Sequence, residues 1–82
     1  MIICSAIKKT NTGEIYIGRR HGDIILLMVK RDINPNNNAI QGFIDSDGKF
    51  LDREEAATHA LQIGQIKQLK FQPKTLFSED LY

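Results

Sequence analysis

The sequence predicts a small α+β domain, and three local patterns support that prediction. Two segments rich in strand-forming residues each contain a glycine turn, which is typical of a β-hairpin. An acidic helix start follows the second of them. With 82 residues the chain has room for one domain. We therefore expect residues 1–82 to form, in order, a β-hairpin, a helix, a second β-hairpin, a C-terminal helix and an extended tail.

The N-terminal hairpin is predicted from β-branched residues on both sides of a turn. Residues 2–9 are rich in isoleucine and end in two lysines. Asn11 and Gly13 adopt positive φ easily, so the turn falls at 10–13. Residues 14–20 then form the return strand, in which alternate side chains face opposite sides of the sheet.

The segment after this hairpin is apolar without a clear period, and such a pattern fits a buried helix or a buried strand equally well. Asp23 suits a helix N-terminus, and the adjacent Lys30 and Arg31 suit the negative end of a helix dipole. We expect a helix over 21–31. A proline among several asparagines then places a loop at 33–38.

The second hairpin and the helix after it are predicted from turn and capping chemistry. Residues 41–51 surround an Asp-Gly pair, which type I′ turns prefer. Asp52 as N-cap and Glu55 three residues later form a capping box. The tail Pro73–Tyr82 is expected to be extended.

A domain of this size buries only about 60–65% of the surface that its unfolded chain exposes, so its core is marginal. Cys4 is its single cysteine, which excludes an intrachain disulfide. The last helix carries small residues at helical spacing, at Ala57, Ala60, Leu61 and Gly64. We therefore expect an oligomer, at least a dimer, that packs through this helix.

Composition and charge exclude several classes of protein. A formal charge of +1 argues against a general nucleic-acid coat. The longest apolar run, Ile24–Val29, is far shorter than a membrane span of about 20 residues. The first residues lack the basic region of a signal peptide, so a cytosolic location is expected. No Cys/His cluster has zinc spacing, and neither a metal nor a cofactor is expected.

Arg19, Arg20 and His21, at the end of a predicted strand, form the strongest local signal for binding. Two adjacent guanidinium groups offer planar forks of donors that match phosphate oxygens. The N–H groups of a helix that begins beside them would add to such a site. The alternative is two solvated arginines and an ordinary histidine.

Four phenylalanines supply the aromatic surface of the chain. Core packing is the ordinary role of such side chains, and stacking on a nucleobase is the alternative for one that lies near the arginines. They are Phe43, Phe50, Phe71 and Phe77.

Nothing in the spacing of reactive side chains predicts an enzyme. Cys4 lies in an apolar strand, where thiols are usually inert. His21 and His59 have no nucleophile at a defined spacing, and the acidic pair Glu54-Glu55 is explained by helix capping.

Five short motifs occur in order along the chain. They are Gly18-Arg19-Arg20-His21-Gly22-Asp23, Gln41-Gly42-Phe43 through Gly48-Lys49-Phe50, Asp52-Arg53-Glu54-Glu55-Ala56, Gly64-Gln65, and Leu76-Phe77-Ser78-Glu79-Asp80-Leu81-Tyr82. Together they resemble a family of small phage proteins, the first family of Thoeris anti-defence proteins. The resemblance implies a non-enzymatic sponge in the cytoplasm of the infected bacterium. Such a protein sequesters, unmodified, a cyclic ADP-ribose isomer that a TIR-domain protein makes from NAD, so that the Thoeris effector stays inactive.

The resemblance also implies an assembly and two kinds of site. Relatives form dimers that can build up to hexamers, and some also bind cyclic oligonucleotides of the CBASS defence system. The element of Arg19, Arg20 and His21 matches the basic group associated with cyclic-oligonucleotide binding.

For the cyclic ADP-ribose isomer, the resemblance implies that Phe43 stacks on the adenine base, because it matches an aromatic residue with that role in relatives. Asp52 occupies a helix-start position where an Asn contacts the ligand in some relatives, so the resemblance places it in the same site. Arg53 and Lys74 are candidate cations for the phosphates, with Lys70 as the alternative to Lys74. Two other functions stay open: a phage protein that binds and inhibits a host protein directly, and a nucleotide hydrolase.

Overall fold

The computed structural model describes residues 1–71 and 74–81, and it is built around a four-stranded antiparallel sheet. The strands are β1 (Ile2–Lys9), β2 (Ile15–Gly18), β3 (Ala39–Asp45) and β4 (Phe50–Asp52), in the spatial order β2-β1-β3-β4. The helices are α1 (His21–Lys30), α2 (Arg53–Gln62) and α3 (Ser78–Leu81). The predicted α+β fold is confirmed, with both hairpins, a helix at 21–30 and a helix that begins after Asp52.

Strand β1 lies in the middle of the sheet and fixes the register of its neighbours. Ser5 is opposite Gly18 on β2 and opposite Phe43 on β3. Gly13, with φ of 79°, closes the first hairpin by donating its N–H to the carbonyl of Lys9 at 2.7 Å. The glycine is needed there because this positive φ is costly for other residues.

The turn of the second hairpin differs from the predicted type I′. That type needs positive φ at both central residues, but Gly48 has φ of 80° and Asp47 does not have positive φ. The carboxylate of Asp45 accepts hydrogen bonds from the N–H groups of Asp47 and Lys49, each at 2.9 Å. These bonds, with that from Lys49 the largest cause, lower the pKa of Asp45. The carboxylate thus supports a three-residue loop that ends in a glycine bulge.

Both long helices pack against the same face of the sheet. Helix α1 places Ile24 and Met28 on Ile7 of β1. Helix α2 packs its buried alanines around Phe43 of β3 and Leu51 of β4. The core is therefore a single layer of side chains between one sheet face and two helices.

The small residues of α2 belong to this core, which corrects the expectation that they form a contact between subunits. Ala57 and Ala60 are buried within the protomer, whereas Leu61 and Gly64 are exposed. Alanine allows α2 to approach the sheet closely, so its small side chains serve the protomer itself.

The opposite face of the sheet carries no helix among the described residues and is mainly apolar. Ile17 is 59% exposed there, and Ile15 and Ile40 are exposed as well. Lys8 lies on the same face, with its Nζ 5.8 Å from the centroid of the Phe50 ring. The strand register also places on this face Cys4, Ala6, Gly42 and Ile44. We call it the open sheet face.

The tail is less extended than predicted. Leu76 packs into the core beside α2, and its N–H donates to the carbonyl of Arg53 at 3.0 Å. Ser78–Leu81 then form the single turn of α3. This turn forms because Asp80 reaches back to accept the N–H of Phe77 at 2.9 Å. Of the predicted tail, Pro73 and Tyr82 lie outside the described residues.

Phe43 is completely buried, and Gly42 before it is required by the sheet. A Cβ at Gly42 would stand 2.1 Å from the carbonyl oxygen of Leu51 and 2.7 Å from the Phe50 ring. The space beside Gly42 is thus filled by β4, and the complete burial of the Phe43 ring supports the core alternative for Phe43.

Replacing Phe43 by alanine should destabilise the fold by about 3–5 kcal/mol, because it leaves a cavity in the larger part of the core. Phe71→Ala is the matched control. That ring is 60% exposed, and its loss should cost no more than about 1 kcal/mol. Thermal and urea unfolding of both variants measure the difference. Equal stability of the two variants would contradict the core role of Phe43.

Candidate functional site

A cavity at the tail combines aromatic and charged side chains. Its volume is about 470 Å³, and the described residues that line it are Lys70, Phe71, Phe77 and Glu79. Two of these follow α2 and two lie at the start of α3. One wall therefore comes from the segment that follows α2 and the other from the tail, and we call this cavity the tail cavity.

Asp80 fastens the two walls of the tail cavity to each other. Its carboxylate is buried and accepts the backbone N–H of Lys70 at 2.8 Å and that of Phe77 at 2.9 Å. On the same side, Lys70 Nζ donates to the carbonyl oxygen of Glu79 at 3.3 Å. Hydrogen bonds to a charged acceptor are the stronger kind, so the separation of the walls is well defined.

The aromatic part of the cavity has one ring that is open to a flat ligand. Phe71 and Phe77 meet edge to face, with their centroids 5.8 Å apart. The guanidinium of Arg53 lies over the Phe77 ring, 4.6 Å from its centroid. This cation–π contact occupies one face of Phe77, whereas Phe71 is largely exposed.

Arg20 brings the predicted basic element to the rim of the tail cavity. Its Nη1 lies 3.2 Å from Oε2 of Glu79, and both side chains are partly exposed. An exposed ion pair of this kind adds little to stability. Its effect is to orient the carboxylate of Glu79 and to hold a guanidinium beside a residue that lines the cavity.

His21 lies beneath the cavity and is engaged inside the protein. Its Nε2–H donates to the carbonyl oxygen of Gly42 at 2.8 Å, since a carbonyl can only accept. Its Nδ1 lies 2.6 Å from Ser78 Oγ, and its backbone N–H donates to the same oxygen at 3.2 Å. Burial is the main cause that lowers the pKa of His21, and the charge of Arg53 adds to it. The imidazole therefore fastens α3 to α1 and β3.

The three residues predicted to bind cyclic oligonucleotides separate in the structure. Arg20 faces the tail cavity, Arg19 is exposed, and His21 is buried. The Arg19 carbonyl accepts from Ser5 Oγ at 2.9 Å. The structure thus does not bring the three side chains to one surface.

The residues predicted to bind the cyclic ADP-ribose isomer also separate. Phe43 is in the core, and Asp52 forms the predicted capping box with Glu55. Arg53 donates to the Leu76 carbonyl at 2.7 Å and to the side chain of Gln41, and burial lowers its pKa. Lys74 is exposed and is not among the described residues that line the tail cavity.

Sequence reasoning missed two residues on which the cavity depends, Ser78 and Asp80. Ser78 Oγ is buried and also lies 2.8 Å from Ser5 Oγ of β1. The signal that could have found them is Ser78-Glu79-Asp80, since serine and acids are favoured at the first turn of a helix.

Within residues 1–71 and 74–81, no three His, Cys, Asp or Glu side chains lie close enough to hold a metal ion. None of the helices in the same ranges has the length and apolar character needed to cross a membrane.

The fold and the cavity define a small α+β protein whose tail forms a charged aromatic site. A family model described as phage T4 y16D protein matches residues 1–82, and the chain belongs to that family. No curated protein and no solved structure matches it. The expectation of a phage protein is confirmed, and the finer assignment to the Thoeris anti-defence proteins stays a prediction.

The buried, neutral His21 makes stability depend on pH in a definite direction. Its pKa in the folded protein is below the ordinary value of 6.5, so the unfolded chain takes up a proton first as the pH falls. Stability should be highest above pH 6.5 and decrease between pH 7 and pH 5. Thermal unfolding at pH 7.5, 6.5 and 5.5 measures this.

The His21→Gln variant should be less stable than the wild type at pH 7.5. Its stability should then decrease much less than that of the wild type between pH 7 and pH 5. His59→Gln is the control and should keep the wild-type slope. If His21→Gln retains the full pH dependence, the histidine is not its source.

Proposed function

We propose that this phage protein binds a nucleotide signal and sequesters it without cleaving it. The signal that we propose is the cyclic ADP-ribose isomer of the Thoeris system, captured in the cytoplasm of the infected host. The observation that carries the proposal is the tail cavity, in which the open ring of Phe71 lies beside Lys70 and the pair of Arg20 and Glu79.

The chemistry of the cavity matches the parts of such a ligand. A nucleobase can stack on Phe71, a contact worth about 1–3 kcal/mol per base. A pyrophosphate can accept hydrogen bonds from the cations of Lys70 and Arg20. The volume of about 470 Å³ lies in the usual range of small-molecule sites.

This proposal moves the base from Phe43, where the resemblance assigned it, to Phe71. The move follows from burial, because a ring enclosed on all sides offers no face to a base. Arg53 takes an indirect role in the proposal, since it holds Phe77 and Leu76 in place. For cyclic oligonucleotides, we keep Arg19 and Arg20 as the proposed contacts.

Sequestration rather than hydrolysis is supported by what lines the cavity. Among the described residues of its lining, the ionisable side chains are Lys70 and Glu79, and the Glu79 carboxylate is paired with Arg20. The nearby buried carboxylate of Asp80 accepts two backbone N–H groups. This set suits holding a phosphate more than activating a water.

Isothermal titration with the cyclic ADP-ribose isomer tests the proposal. Phe71→Ala should weaken binding by about tenfold or more, because it removes the stacking surface, and should leave the melting temperature nearly unchanged. Lys70→Ala should weaken binding in the same way. Lys67→Ala is its matched control, an exposed lysine of the same segment outside the lining, and should bind normally.

The bound ligand is then released by denaturing the protein, and its molecular mass is measured. A sponge returns its mass unchanged, and a hydrolase returns fragments. The proposal fails if the wild-type protein does not bind the isomer or if fragments are recovered.

The open sheet face favours a second function, which is contact with another protein chain. Its exposed isoleucines would be covered by sheet-on-sheet packing with another copy of this chain. We propose such a homo-oligomer, from a dimer up to a hexamer. A host protein that the phage inhibits directly is the alternative occupant of this face.

Ile17→Asp should convert the proposed oligomer to a monomer, because it places a charge within the apolar contact. Sedimentation equilibrium at micromolar concentration measures the change. Leu26→Asp, on the exposed side of α1, is the control and should leave the oligomer intact. If the wild-type protein sediments as a monomer, the proposal of a homo-oligomer is wrong, and a host protein becomes the favoured partner of this face.

A further inference from the structure

We infer that Glu79 accepts a hydrogen bond from a ribose hydroxyl of the bound nucleotide, and that it thereby selects ribonucleotides over 2′- or 3′-deoxynucleotides. The inference rests on the proposed function of the tail cavity. It concerns the one acidic side chain of the described lining.

A carboxylate in a cationic aromatic cavity restricts which part of a nucleotide can face it. A phosphate repels it, and the face of a base offers it no donor. The groups of a nucleotide that can donate are the ribose hydroxyls and the N–H groups of the base. A nucleotide that contacts the Glu79 carboxylate therefore does so through one of these two kinds of donor.

The ion pair with Arg20 prepares Glu79 for this contact. Arg20 Nη1 lies 3.2 Å from Oε2, so the carboxylate is oriented before any ligand arrives. An ionised carboxylate has about four acceptor positions on its two oxygens. It can keep Arg20 and accept a hydroxyl at the same time.

The position of Lys70 favours the ribose over the base amine. Lys70 Nζ donates to the backbone carbonyl oxygen of Glu79 at 3.3 Å, so the cation that suits a phosphate is held at the same residue that carries the acid. In a nucleotide the ribose hydroxyls are near the phosphate, and the amine of the base is at the far end. The same pairing of an acid with a ribose hydroxyl is used by dinucleotide-binding folds.

Titration calorimetry with three simple probes tests the inference: ADP, 2′-deoxy-ADP and 3′-deoxy-ADP. Wild-type protein should bind ADP about tenfold more tightly than at least one of the deoxy probes, since a hydrogen bond to a charged group is lost. Glu79→Gln should bring the ADP and deoxy affinities to within about twofold of each other. Its melting temperature should stay close to that of the wild type, because the side chain is half exposed.

Glu54→Gln is the matched control, an exposed acid of the first turn of α2, and should keep the wild-type preference. Equal binding of all three probes by the wild type overturns the inference and leaves the nucleotide site in place. An unchanged preference in Glu79→Gln overturns it as well. If the wild-type protein binds neither ADP nor the cyclic isomer, the proposed function itself is wrong. That result is distinct from the two that overturn only the inference about Glu79.

Discussion

The arrangement of the tail depends on one buried hydroxyl, that of Ser78. Its oxygen lies within hydrogen-bond distance of Ser5 on β1 and of both the backbone and the ring of His21 on α1. Phe77 and Glu79 flank this serine in the chain, so their positions follow from it. An unpaired polar group would be costly at this depth, and three partners make the docked position of α3 the favourable one.

The small size of the chain explains why its two faces differ so much. Two helices and a tail are enough to cover one side of a four-stranded sheet, and the covered side contains the buried core. The other side keeps isoleucines in contact with water, which is unfavourable in an isolated protomer. The tail cavity and the open sheet face are therefore built from different residues.

Local chemistry made most of the fold predictable, and long-range contacts made the rest unpredictable. Gly13 and Asp52 act within a few residues of themselves, so the hairpin and the capped helix could be read from the sequence. The burial of Phe43 depends on which face of β3 meets α2, and alternation alone does not say which. The cavity depends on Asp80, which binds the backbone of Lys70 ten residues earlier and across a bend.

The basic element at 19–21 shows why a motif of adjacent charges does not define one site. At the end of β2 the chain turns into α1, and this turn sends neighbouring side chains in different directions. Arg20 meets the acid of the cavity, while His21 enters the interior, where burial and the charge of Arg53 keep it neutral. A protonated His21 would be close to the positive charge of Arg53, which is unfavourable, and this is the point where the tail is held. Arg20 therefore supplies charge at the rim, and His21 supplies an uncharged hydrogen-bonding group in the interior.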